Sequence, residues 1–200
     1  MTTSQQERYK ERYKEKLTPW DIGRADFNLV EIVTQSILEQ GRVLDVGCGS
    51  GHNSIWLAEQ GFTVTGIDVS ELAVERAKEN ASGAGIQANF LVMDFFEKEV
   101  SGRPFKLVFD RGCFHSYENE SERRAFSEKV AGHLEEGGFW LSLIGSSDDP
   151  IKRPGPPRRS ARDIVEAVEP FFKILLLKAS HFDSNVQNPP QAWACLMQKR

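Results

Sequence analysis

The sequence predicts an α/β protein: a mostly parallel sheet with helices on both faces, stacked in three layers. Three observations carry this. Short apolar and β-branched runs alternate with helix-period segments from Arg42 onward. A glycine-rich turn, Asp45-Val46-Gly47-Cys48-Gly49-Ser50-Gly51, joins the first run to a helix. Asp68, Asp94 and Asp110 each stand directly after a strand, where open α/β sheets place their ligands.

Taken in order, residues 1–16 are polar and read as a frayed helix with a solvated Arg/Lys/Glu face. Thr18-Pro19-Trp20-Asp21 interrupts it, since proline disfavours helix at the preceding residue. Asp26 reads as an N-cap, with Phe27, Val30, Val33 and Ile37 at helical spacing toward Gly41. Val43–Val46 is a buried strand stopped by glycines, and His52–Gln60 a helix closed by Gly61. Thr63–Ile67 is the second strand. Ser70 then caps a helix with Ala73, Ala77 and Ala81 on one face. Ala88–Met93 and Phe105–Phe109 read as strands. Phe126, Val130 and Leu134 lie four apart on a helix expected to stop at Gly137-Gly138, before a strand at Phe139–Ile144. Gly145–Ser160 is turn-rich, with four prolines. Ser160-Ala161-Arg162-Asp163 is a capping box. Phe171–Leu177 and Ala192–Met197 are the last strand candidates.

Two hundred residues are about one domain, long enough for a full core without disulfide or metal staples. We divide the chain into an N-terminal helical cover, 1–40, and a core, 41–200. The 25 Lys and Arg against 29 Asp and Glu leave a net charge of −4, which disfavours a phosphate-neutralising nucleic-acid binder. The three cysteines, Cys48, Cys113 and Cys195, are widely spaced and form no zinc pattern. They point to a reducing, cytoplasmic compartment. No stretch approaches the ~20 apolar residues of a membrane helix, and the charged N-terminus has no secretory character. The expected partner is a small-molecule substrate, with neither nucleic acid nor membrane. A monomer is compatible with the sequence, which sets no oligomeric state.

The residues after the strands carry the chemistry. Gly47 and Gly49 permit a tight turn and close approach of backbone to a ligand, next to the unpaired N–H groups of a helix start. A dinucleotide G-x-G-x-x-G would place its third glycine at position 52, which is His52. Asp68, seventeen residues beyond Gly51, is placed to take ribose hydroxyls. It could instead be a solvated turn residue. Asp94 could accept from an adenine amino group, with Phe95 covering the ring, or simply make a turn. Asp110-Arg111-Gly112-Cys113-Phe114-His115 puts two charges at a strand end.

Together, VLDVGCGSG (Val43–Gly51), GIDVS (Gly66–Ser70), MDFFE (Met93–Glu97) and LEEGGFWLSL (Leu134–Leu143) resemble the class I S-adenosylmethionine-dependent methyltransferases over about Pro19 to Arg200. The resemblance implies a Rossmann-like sheet of seven strands, the last antiparallel and inserted between its neighbours. It implies S-adenosylmethionine as cofactor, held by Trp20, Asp45, Gly47, Gly49, Asp68, Val69, Asp94, Phe95 and Arg111. Pro19-Trp20-Asp21-Ile22-Gly23-Arg24 and Asp110-Arg111-Gly112 narrow it to the thiopurine and thiol S-methyltransferase group. The GCGSG loop and the Cys-Phe-His after Gly112 depart from the thiopurine enzymes.

Methyl transfer needs the nucleophile held in line in a dry pocket. A thiol ionises near pH 8.5 and needs little help from a base. Asp21, Arg111 and His115 are the candidates for orienting substrate or moving a proton. Trp20 could instead be a hydrophobic plug, Arg111 an ion-pair partner of an acid such as Asp110, and His115 an exposed loop histidine. Cys113-x-His115 and His181-Phe182-Asp183 lack diagnostic metal spacing, so no metal is expected. Arg153, Arg158 and Arg159 among Pro154, Pro156 and Pro157 form either a basic lid or a solvated connection. The expected activity is methylation of a small thiol or another soft nucleophile. The alternatives are O- or N-methylation of a small metabolite, a non-catalytic cofactor-binding module and a dinucleotide oxidoreductase.

Overall fold

The structure, a computed structural model, describes residues 3–35, 38–151 and 157–200, with side chains from residue 7. Ile37, Arg153, Pro154 and Pro156 lie outside them. Seven strands, β1 (Arg42–Val46), β2 (Thr63–Asp68), β3 (Asn89–Val92), β4 (Phe105–Arg111), β5 (Leu134–Gly145), β6 (Phe172–His181) and β7 (Gln191–Lys199), form one sheet in the order β3-β2-β1-β4-β5-β7-β6. Strands β1 to β5 pair in parallel, and β7 runs antiparallel between β5 and β6. Strand order reverses between β1 and β4, which opens a crevice at their carboxyl ends.

Helices α1 (Thr3–Lys14), α2 (Phe27–Gln35), α3 (His52–Glu59), α4 (Glu71–Gly83), α5 (Glu120–His133) and α6 (Ala161–Val168) surround the sheet. Successive strand residues feed opposite faces, as a period of two requires. Leu44, Val108, Trp140 and Ile144 pack with Phe126 and Val130 of α5 and Ile164 of α6. Val43, Leu107, Phe109, Leu141 and Leu143 pack with Leu29 and Ile32 of α2 and Leu57 of α3. Trp140 centres the first cluster, with Phe114, Phe126 and Phe172 rings 5.3–5.8 Å away. Ser70 caps α4 by accepting from the Ala73 N–H, and Ser160 with Asp163 completes the capping box of α6.

Two expectations shift. The helix carrying Phe126 and Val130 ends at His133, four residues before Gly137. Pairing starts at once, Leu134 opposite Phe105, then the register jumps to Leu107 opposite Phe139. Gly137-Gly138 therefore sits within an irregular strand start rather than stopping a helix. Helix α1 is also not wholly solvated. Tyr13 is buried, with the Arg76 guanidinium 5.7 Å from its ring centroid, and Arg76 also donates to the Tyr13 carbonyl.

Candidate active site

A cavity of about 470 Å³ lies over the carboxyl ends of β1, β2 and β4, within the usual size of small-molecule sites. Its floor is the loop after β1. The Gly47 and Cys48 amides both donate to the Ile67 carbonyl, at 2.8 and 3.0 Å, which folds the loop toward β2. Gly47 and Gly49 have φ of +73° and +55°, the left-handed region that disfavours side chains. A Cβ on Gly47 would strike the Cys113 sulfur, and one on Gly49 would come within 2.8 Å of the Tyr13 hydroxyl. The loop therefore stays thin enough for its backbone to line the cavity.

Asp68, at the end of β2, holds this loop open. Its Oδ2 accepts the Gly49 N–H at 3.0 Å and its Oδ1 the Ser70 N–H at 2.9 Å. Burial pushes its pKa up against those amide bonds and that of Val69. Asp68 and Val69 both line the cavity. Asp94 lines it too, accepting the Phe96 N–H at 2.8 Å. Phe95 lies beside it, its ring packed on Phe126 and His133. Asp45 is absent from the cavity wall. Its carboxylate is buried beneath the loop and accepts from the Ser54 hydroxyl of α3 at 2.6 Å. Burial first, then the charges of Asp68 and Asp110, push its pKa up to about 7.

The N-terminal segment roofs the cavity. Trp20 donates from Nε1 to the Tyr13 hydroxyl at 3.2 Å and meets Tyr9 and Tyr13 edge-on. It thus docks the segment and also lines the cavity. Asp21 accepts from the Ser50 hydroxyl at 2.7 Å, with the His52 ring 3.7 Å away, so roof and floor are tied directly.

Arg111 is the second tie. Its Nε donates to Asp26 at 2.7 Å, Nη1 to the Trp20 carbonyl at 3.3 Å and Nη2 to the Asp183 carbonyl at 2.7 Å. The Asp26 side chain is fully buried, and Arg111 lies over the Phe182 ring. The ion pair considered with Asp110 does not form. Asp110 turns away beneath the loop, taking the Cys113 and Phe114 amides and the Trp140 indole N–H. Asp26 exceeds the capping role read from sequence, since it also takes the Asp183 amide.

His115 is not an exposed loop histidine; it is 2% exposed. The Gly145 N–H donates to its Nδ1 at 2.8 Å, which places the ring proton on Nε2. Burial, then the charges of Arg159 and Arg111, push its pKa down to about 3. The ring is neutral, and its Nδ1 lone pair is already used. Cys113 donates to the Val46 carbonyl at 3.2 Å, so it and His115 are partnered elsewhere than on a shared metal. Among the described residues, no group of three or more His, Cys, Asp or Glu could hold a metal. Arg158 and Arg159 do not form a free basic lid. Arg158 donates to the Asp149 and Ile151 carbonyls, and Arg159 to that of Tyr117.

Several cavity residues escaped the sequence reading. Tyr9 and Tyr13, four apart on α1, form an aromatic stripe that could have flagged it. Phe182 and Asp183, between β6 and β7, were weighed only for metal spacing; the docking of two distant segments brings them to the cavity, which no local pattern signals.

Residues 43–138 match the family described as Methyltransferase domain. The chain is 34% identical over 161 residues to thiocyanate methyltransferase 1 of Brassica oleracea, covering 78% of this chain and 68% of that protein. It is 32% identical over 142 residues to probable thiol methyltransferase 2 of Arabidopsis thaliana, covering 70% of this chain and 61% of that protein. It thus spans about two thirds of these relatives' length. A solved structure described as the conversion of a disulfide bond into a thioacetal group during echinomycin biosynthesis superposes with a TM-score of 0.78 at 26% identity, covering 90% of this chain and 84% of that one. The chain belongs to the class I S-adenosylmethionine-dependent methyltransferases. Within them it resembles the thiol methyltransferase group, and its cofactor is S-adenosylmethionine.

Proposed function

We propose that this chain methylates a small thiol or another soft nucleophile in the cavity roofed by Trp20. The observation that carries this is that the three groups expected to handle a proton are already engaged. Asp21 holds Ser50, Arg111 holds Asp26, and His115 spends its Nδ1 lone pair on the Gly145 amide. A thiol supplies its own anion near neutral pH, so it suits a site that orients rather than deprotonates.

The cavity fits the cofactor. At Gly47 and Gly49 a Cβ would meet the Cys113 sulfur and the Tyr13 hydroxyl, so only glycine lets the loop backbone run this close along the cavity. In this reading Gly47 and Gly49 face the methionyl part, Asp68 and Val69 the ribose, and Asp94 and Phe95 the adenine. Bound S-adenosylmethionine supplies a methyl group activated on a sulfonium. Arg111 positions the roof and Trp20 closes it, which excludes water and confines the acceptor beside the methyl group. Asp45 acts from below, steadying the loop through Ser54. Residues 1–40 serve as the cover and 41–200 as the core. The three unpaired cysteines fit a reducing compartment, which supports a cytoplasmic site of action.

The test is a mass-shift screen with S-adenosylmethionine and a panel of thiols, phenols, amines and carboxylic acids. Methylated thiol with equimolar S-adenosylhomocysteine supports the reading. Turnover confined to amines or acids overturns it, and tight cofactor binding with no turnover supports a binding module instead.

A further inference from the structure

The loop after β4 presents one polar edge that the cofactor contacts do not use. His115 is fixed from behind: the Gly145 N–H occupies Nδ1 at 2.8 Å, and Phe182 meets the ring edge-on at 5.9 Å. Its other nitrogen lies over Gly112, where an added Cβ would come within 3.1 Å of Nε2. Gly112 (φ +93°) is thus the residue that leaves room for the ring. Nε2 has no hydrogen-bond partner among the described residues. It is also not one of the polar atoms shut away unpartnered, which are Arg123 Nε, Ser142 Oγ and Arg159 Nε. His115, Gly112 and Tyr117 all line the cavity.

We propose that His115 is a specificity-determining hydrogen-bond donor: its Nε2–H, held in one tautomer by the Gly145 amide, binds the acceptor heteroatom of an anionic substrate and does not take its proton. This rests on the soft-nucleophile reading above and names how that acceptor is recognised. The acceptor loses its proton to solvent before binding, and its lone pair forms the bond to the methyl carbon. The sulfonium sulfur keeps the electron pair of the bond that breaks, and the imidazole keeps its proton throughout. The groups facing the ring do not alter this. Arg159 and Arg111 bring positive charge that further disfavours an imidazolium and favours an anion nearby. Burial raises the pKa values of Cys113 and Tyr117 on the same loop, leaving both neutral.

The test uses the full-length enzyme with thiophenols and alkanethiols of different acidity. His115→Phe removes the donor and should raise the acceptor KM about tenfold or more while kcat changes less than about threefold. His115→Gln offers an oxygen to the Gly145 amide and an N–H to the acceptor, and should restore KM. In the wild type, the inflection of kcat/KM with pH should move with each acceptor's own pKa. A loss of about a hundredfold in kcat in both variants, or one inflection shared by all acceptors, would mean that His115 is a general base and would overturn the proposal. If phenols turn over and thiols do not, the soft-acceptor reading fails and the same variants are read with phenols. Independently of turnover, nitrogen NMR of the free enzyme should show His115 as the neutral Nε2–H tautomer from pH 5 to 8. An Nδ1–H tautomer or a titration in that range contradicts the proposal.

Discussion

Asp68 uses one carboxylate for two amides, those of Gly49 and Ser70, and lines the cavity. Asp68→Asn keeps the shape but has only one oxygen, so either the Gly49 or the Ser70 amide loses its acceptor. The dissociation constant for S-adenosylhomocysteine, measured by titration calorimetry, should rise about tenfold or more, because hydrogen bonds to a charged group are lost. An unchanged constant would mean that Asp68 does not face the cofactor. Residues such as Asp68 and Gly47 were legible in the sequence because strand, turn and next strand fix their place locally. Asp45 was legible as part of the buried first strand, but its partner beneath the loop was not. Its neighbour Ser54 lies a helical turn into α3, and only the fold shows that its hydroxyl closes over the carboxylate. His115 was legible as a candidate, yet its tautomer depends on Gly145, thirty residues away at the end of β5.

At the scale of elements, the roof depends on few side chains. Arg111 at the end of β4 joins α2 through Asp26, the Trp20 segment through its carbonyl, and the β6–β7 connection through Asp183. Arg24 repeats the link with a bidentate pair to Asp183 at 2.6 and 3.0 Å. Arg111→Lys keeps the charge beside Asp26 but loses the planar fork that reaches both carbonyls. Proteolytic cleavage near Pro19–Arg24 should accelerate, and kcat/KM should fall about tenfold or more. Unaltered proteolysis with lowered activity would instead indicate that Arg111 touches substrate rather than positioning the roof. This part of the site was poorly legible in the sequence. The Pro-Trp-Asp segment marked a break, but its partners are about 90 and 160 residues away and no local pattern names them. Helix α1 read as polar because two tyrosines among charges give a weak apolar face, and its burial comes from the loop and α4 rather than from its own periodicity.

Across the whole molecule, the alternation of strands and helices along the chain was the best-specified feature, because β-branched runs, glycine stops and Asp termini repeat along it. The exception is the start of β5, where the two glycines looked like a helix stop and proved to be a strand irregularity. The antiparallel last strand between its neighbours was implied by the family resemblance and by no pattern in the residues. Because cofactor binds the folded sheet and not the unfolded chain, S-adenosylhomocysteine at a hundred times its dissociation constant should add about 2.7 kcal/mol. For a chain of this length that is a rise in melting temperature of roughly 5–10 °C, readable by scanning calorimetry. No rise at that saturation would mean that the ligand does not bind the folded state in preference to the unfolded chain.

Thiol methylation is tested most directly by one turnover measurement: full-length protein, S-adenosylmethionine labelled in the methyl group, and a thiol panel offered beside phenols, amines and carboxylic acids. The expected result is labelled methyl thioether with equimolar S-adenosylhomocysteine, at a rate that follows thiolate concentration as pH rises. Labelled methyl appearing only on amines or carboxylates, with thiols untouched, would contradict it.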